Sequence, residues 1–62
     1  MSDRALVQRI IDDLRREADA WNRRSMEPGH DQETRSAMLS RYRELRRLAN
    51  RYEEWLEKSA PR

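Results

Sequence analysis

The chain has 62 residues, 42% of them Asp, Glu, Lys or Arg and 35% hydrophobic, with a formal net charge of +2 and no cysteine. This excludes more than one domain, a disulfide framework, a thiolate metal site and a membrane span, which needs about 18 consecutive apolar residues. Leu6-Val7 and Ile10-Ile11 are interrupted by Gln8, Arg9, Asp12 and Asp13, so no signal peptide is expected and the expected location is the cytoplasm.

In chain order, the first segment opens with Ser2, an expected N-cap, and Asp3, an acid suited to a first helical turn. Val7, Ile11, Leu14, Ala18, Trp21 and Ser25 then recur with spacing 4-3-4-3-4, a heptad seam. Leu6, Ile10 and Met26 are expected to widen that stripe. This predicts a helix over about 3–26.

Glu27-Pro28-Gly29-His30-Asp31 breaks the pattern. Proline presets φ and glycine accepts positive φ, which suits a tight turn at 27–31. Asp31 is an expected N-cap for a second helix, with Gln32 and Glu33 in its first turn.

The second seam is Met38, Tyr42, Leu45, Ala49, Tyr52, Leu56 and Ser59, spaced 4-3-4-3-4-3, with Leu39, Leu48 and Trp55 widening it. It predicts a helix over about 32–58, fraying before Pro61. The short turn predicts antiparallel neighbours, so that residues opposite one another have numbers summing to about 58. The expected fold is a single all-α hairpin.

Each stripe is wider than one neighbouring helix covers. Ordering a residue costs about 1.5 kcal/mol in conformational entropy, and so short a chain offsets that barely, if at all. Val7, Ile10, Ile11, Leu14, Leu45, Leu48, Ala49 and Tyr52 should stay partly bare in a lone hairpin. Two hairpins would cover them as a homodimeric four-helix bundle. The expected core and dimer residues are thus Val7, Ile10, Ile11, Leu14, Ala18, Trp21, Met38, Tyr42, Leu45, Leu48, Ala49, Tyr52 and Leu56.

Catalysis is not expected. His30 is the only histidine and sits in the turn with Glu27, Asp31 and Glu33, short of a convergent ligand set. There is no nucleophile with a supporting base and no glycine-rich phosphate loop. Adjacent acids such as Asp12-Asp13 and Glu53-Glu54 diverge by about 100° on a helix. No metal, cofactor, small-molecule substrate or membrane partner is therefore expected.

Arginine is the sharpest compositional feature. Residues 41–51 hold five arginines against one glutamate, and Arg43, Arg47 and Arg51 step by four to form one stripe, with Arg46 beside it. Such a stripe suits phosphates or an acidic protein surface. Helical acids such as Asp12, Asp13, Asp19, Glu44 and Glu54 offer local partners to Arg16, Arg23, Arg47 and Lys58. Tyr52 and Trp55 belong to residue types that dominate binding hot spots. The expected partner-binding residues are Arg43, Arg46, Arg47, Arg51, Tyr52 and Trp55.

Ile10–Asn22 resembles part of the first helix of a family of phage-encoded anti-quorum-sensing proteins, through Asp12, Leu14, Arg15, Trp21 and Asn22. Those proteins are small dimeric helical hairpins that bind and disable bacterial host proteins, among them a LuxR-type transcription activator. The resemblance implies a host-directed inhibitor. The expected function is therefore a non-enzymatic interaction module that binds a host regulatory protein. The alternative is a nucleic-acid-binding regulator that uses the arginine face.

Overall fold

The structure is a computed structural model that describes residues 3–59; the Ser2 cap and the Pro61 terminus lie outside them. Two helices, α1 (Asp3–Met26) and α2 (Gln32–Lys58), pack against each other as an antiparallel hairpin about 50 Å long and 18 by 11 Å across. The bounds agree with those the sequence predicts. All regular secondary structure among the described residues is helical, and none of their helices is long and apolar enough to cross a membrane.

The turn forms as Pro28-Gly29 requires. Gly29 has φ 98°, in the region that only a residue without Cβ enters at little cost. Asp31 caps α2, its carboxylate accepting from the Thr34 amide at 2.8 Å. Thr34, through its side chain first and its backbone second, holds the Asp31 carboxyl below its ordinary value. At the far end the Ser59 amide donates to the Trp55 carbonyl at 2.9 Å. Arg4 Nη1 reaches across from α1 to the Leu56 carbonyl at 2.9 Å. A cation thus meets one of the carbonyls that α2 cannot satisfy within its own last turn.

The heptad seams meet as expected. Writing Ile11, Ala18 and Ser25 as position a of α1, all three are buried, and Ile11 is fully so. On α2, Leu45, Ala49 and Leu56 are buried. Val7, Leu14 and Tyr52 pack against the Ile11, Ala49 and Leu56 cluster while remaining half-buried. Ala18 and Ala49, 1% and 0% exposed, are the small residues in the seam, which let the two backbones approach. Ser25 closes the turn end, its hydroxyl donating to the Asn22 carbonyl at 2.6 Å.

Three expectations need correction. Ile11, Leu45 and Ala49, expected to stay partly bare in a lone hairpin, are only 0%, 6% and 0% exposed, because they lie on the seam that the neighbouring helix covers. Met26 is 73% exposed and does not widen the core stripe. It lies at heptad position b, on the outer side of α1 and well away from Leu6 and Ile10. Arg4 reaches Leu56 at close to the expected register, but the Arg15–Glu53 contact runs further along α2 than folding about the turn centre implies. Helical side chains lean toward their own N-terminus. In an antiparallel pair Arg15 leans toward the open end and Glu53 leans back toward the turn, so they meet at a larger offset.

Ile11→Ala should cost about 3 kcal/mol of stability, read from urea unfolding followed by helical circular dichroism. A loss below about 1 kcal/mol would place Ile11 outside the core. Asp31→Ala should lower the thermal midpoint at neutral pH by a few degrees. Because the folded carboxyl titrates below its unfolded value of about 3.9, its contribution is complete above that pH and lost as pH falls through the folded value. The gap between wild type and Asp31→Ala should therefore close in strong acid. A gap independent of pH would show that the carboxylate charge does not matter.

Candidate interaction surfaces

Heptad geometry divides the long sides of the hairpin into two. In an antiparallel pair the e positions of both helices line one side and the g positions the other. Arg15 and Glu53 are both e residues, and they form the ion pair that joins the helices. Beside it Arg15, Asp19 and Arg46 line a polar hollow of about 190 Å³. This side is held by charge.

The other side is apolar and bare. Ile10 of α1 and Leu48 and Trp55 of α2 are g residues, and Leu6 lies next to them at position c. Their exposures are 42%, 41%, 47% and 45% respectively. Each is a large apolar side chain whose burial stabilises a fold by about 2 kcal/mol, so leaving four of them half in water on one side is costly. Leu48, Arg51, Tyr52 and Trp55 line a groove of about 310 Å³ on this side. They follow the i, i+3, i+4, i+7 pattern of one helical face. Residues expected for dimerisation (Ile10, Leu48, Tyr52) and for partner binding (Arg51, Tyr52, Trp55) therefore share one surface. The other expected dimer residues divide by depth: Ile11, Ala18, Leu45, Ala49 and Leu56 are buried, whereas Val7, Leu14, Trp21, Met38 and Tyr42 are half-buried.

The arginines separate into two groups. Arg43, Arg47 and Arg51 are exposed along the outer surface of α2, and among the described residues none of the three has an acidic partner within 4.0 Å. Arg46 does not join this stripe. It donates to the Tyr42 hydroxyl at 2.8 Å and lies over the Tyr42 ring at 5.7 Å. That hydrogen bond raises the Arg46 pKa further above its ordinary value. Arg46 is thus tied down on the e side, and the free stripe is three residues long.

The local ion pairs depart from those read off the sequence. Asp13 and Arg16 approach to 3.9 Å as expected. Glu44 pairs with Arg41 at 3.6 Å in place of Arg47. Asp12 accepts from Gln8 at 3.1 Å, and Arg23 donates to the Asp19 backbone carbonyl at 3.4 Å instead of its carboxylate. Spacings of three and four residues both bring side chains together, so sequence does not choose between them.

Trp21 carries Arg24 over its ring at 5.3 Å, which shields part of the half-buried indole. His30 lies 4.0 Å from the Glu27 carboxylate, with Nε2 buried and without a hydrogen-bond partner among the described residues. No group of three or more His, Asp or Glu side chains gathers there or elsewhere among the described residues. Arg4 and Arg15 were missed as cross-helix ties. Their heptad positions, a near the open end and e, are the signals that point to those roles.

Comparison of the chain with protein-family models, with curated proteins and with solved structures found no match.

Proposed function

We propose that this chain is a non-enzymatic protein-interaction module. It acts in the cytoplasm as a small homodimeric inhibitor or adaptor of a host regulatory protein, as a phage-borne protein of this kind would. The observation that carries the reading is the segregation of two surfaces. The apolar g side (Leu6, Ile10, Leu48, Trp55) offers a dimer interface, and the outer stripe offers the cations of Arg43 and Arg47 to a partner, with Arg51 on the border between the two surfaces. Dimerisation covers the first surface, stabilises a marginal core and duplicates the second.

The occupant of the stripe is read as an acidic protein surface. Arginine forks pair with carboxylates in bidentate fashion, and these three retain that capacity because no acid among the described residues engages them. The resemblance of Ile10–Asn22 to host-inhibitor hairpins supports the same reading.

A second reading, a nucleic-acid-binding regulator, draws on the same free stripe. A net charge of +2 and the acids interspersed around the rest of the surface weigh against it.

Two measurements separate the readings. Binding to mixed-sequence RNA and DNA should be weaker than micromolar at physiological salt. Submicromolar binding that falls by about tenfold or more between 50 and 200 mM salt would establish the second reading. Under the first, a host protein crosslinked to wild type and then reconstituted from purified components should bind at least tenfold more weakly to the Arg43→Gln, Arg47→Gln double variant, which leaves Arg51 at the dimer border intact. Unchanged binding by this variant, folded as judged by circular dichroism, removes the stripe from the partner interface.

A further inference from the structure

The bare g side carries information about what covers it. Its exposed apolar residues are not spread along the hairpin. Leu6 and Ile10 lie in the half of α1 nearer the open end, and Leu48 and Trp55 lie in the facing half of α2. Toward the turn the same side becomes charged, with Glu17 and Arg24 on α1 and Arg41 on α2 at position g. A partner must therefore match an apolar half at one end and a polar half at the other.

The two edges of this side also differ in charge. Beyond the apolar strip, the outer edge of α1 presents Asp3, Asp13 and Glu17 at positions g, c and g. The outer edge of α2 presents Arg41, Arg51 and Lys58 at g, c and c. The division is not absolute. Arg24 stands among the α1 residues and Glu44 among those of α2, where it already engages Arg41. Asp13 approaches Arg16 only at 3.9 Å, with both side chains more than 70% exposed. Asp3, Glu17, Arg51 and Lys58 have no ion pair among the described residues.

A second copy satisfies both patterns in one orientation only. If the twofold axis runs parallel to the helices, α1 of one hairpin lies over α2 of the other, antiparallel to it and with both turns at the same end. Heights along the hairpin are then preserved. Leu6 comes nearly level with Trp55 of the second copy and Asp3 with its Lys58, while Asp13 lies about one helical turn from its Arg51, an offset that their side chains lean to close, so each apolar half meets the other's apolar half and each acidic edge meets a basic one. If the axis instead runs across the helices, α1 lies over α1 and α2 over α2. Acid then faces acid and base faces base, and the apolar halves meet only if the two hairpins slide apart and overlap at their open ends. Like charges placed opposite each other disfavour that arrangement.

Resting on the homodimer reading above, we infer that a second copy of this chain seats on the face formed by Leu6, Ile10, Leu48 and Trp55, with both turns at the same end and α1 of each hairpin over α2 of the other. The core of the bundle then comprises both seams and both apolar strips. The Arg43–Arg47 surfaces point outward on opposite sides of the dimer, available to partners.

The chain has no cysteine, so a single label site is simple to introduce. Glu27 is exposed at the turn. Glu27→Cys carrying a nitroxide, measured by pulsed dipolar spectroscopy on the intact chain, reads the turn-to-turn distance. The same-end dimer places the turns one helix layer apart, so a distance under about 30 Å including the label arms is expected. A dimer joined at its open ends separates the turns by more than the 50 Å length of one hairpin. That long distance overturns the orientation and leaves the homodimer reading intact. Absence of any dipolar modulation at 100 µM overturns both. Asp13→Arg supplies an independent check: it should weaken dimerisation about tenfold, and adding Arg51→Asp in the same chain should restore it. Failure of that rescue, with both variants helical, also overturns the orientation.

Discussion

A helix packed against a single neighbour can bury only one stripe of its surface, and that limit governs this molecule. Each helix has a core line that fits the other, narrow at Ala18 and Ala49 and filled by Ile11, Leu45 and Leu56. Each also carries apolar residues beyond that line. On the e side the excess is small, and the Arg15–Glu53 pair spans the gap. On the g side it is not covered, and Leu6, Ile10, Leu48 and Trp55 remain half in water. The hairpin is therefore asymmetric about its own plane, sealed by charge on one side and apolar on the other.

The functional reading follows from that asymmetry. A surface ion pair such as Arg15–Glu53, with both side chains nearly half exposed, contributes roughly 0–1 kcal/mol and does not substitute for a core. The apolar side has more to offer, since burying it against a like surface adds a second layer to a one-layer fold. Under the proposed homodimer, the charged residues on its borders would select among the ways two copies could meet. In the proposed arrangement Arg43 and Arg47 lie outside the interface, whereas Arg51 borders it.

Much of the fold was legible in the sequence because its signals were local. The seam spacing, the single Pro-Gly pair and the Asp31 cap each act within a few residues, and the helix bounds followed from them. Period placed Ile11, Ala18, Leu45, Ala49 and Leu56 on the seams, but it did not reveal that a single neighbouring helix suffices to bury Ile11, Leu45 and Ala49. Side-chain partners were less so. Arg41 and Arg47 stand equally well to engage Glu44, and only geometry assigned Arg41. Arg46 looked like a member of the stripe by spacing, yet Tyr42 one turn earlier holds it. Met26 failed as a core residue because its angular position at b outweighs its hydrophobicity. The grouping of Trp55 with Leu48 and Tyr52 in one groove depends on the facing of two helices, which a linear pattern does not encode.

Whether the hairpin pairs with a second copy through its apolar side decides the proposed function. Sedimentation equilibrium at micromolar concentration, with helix content measured on the same sample, tests this directly. The expected mass is twice the 7.6 kDa of the chain. The mass should fall to that of a single chain in Leu48→Glu, which places a charge at the centre of the face. A fully helical wild-type chain that sediments at 7.6 kDa would contradict the account.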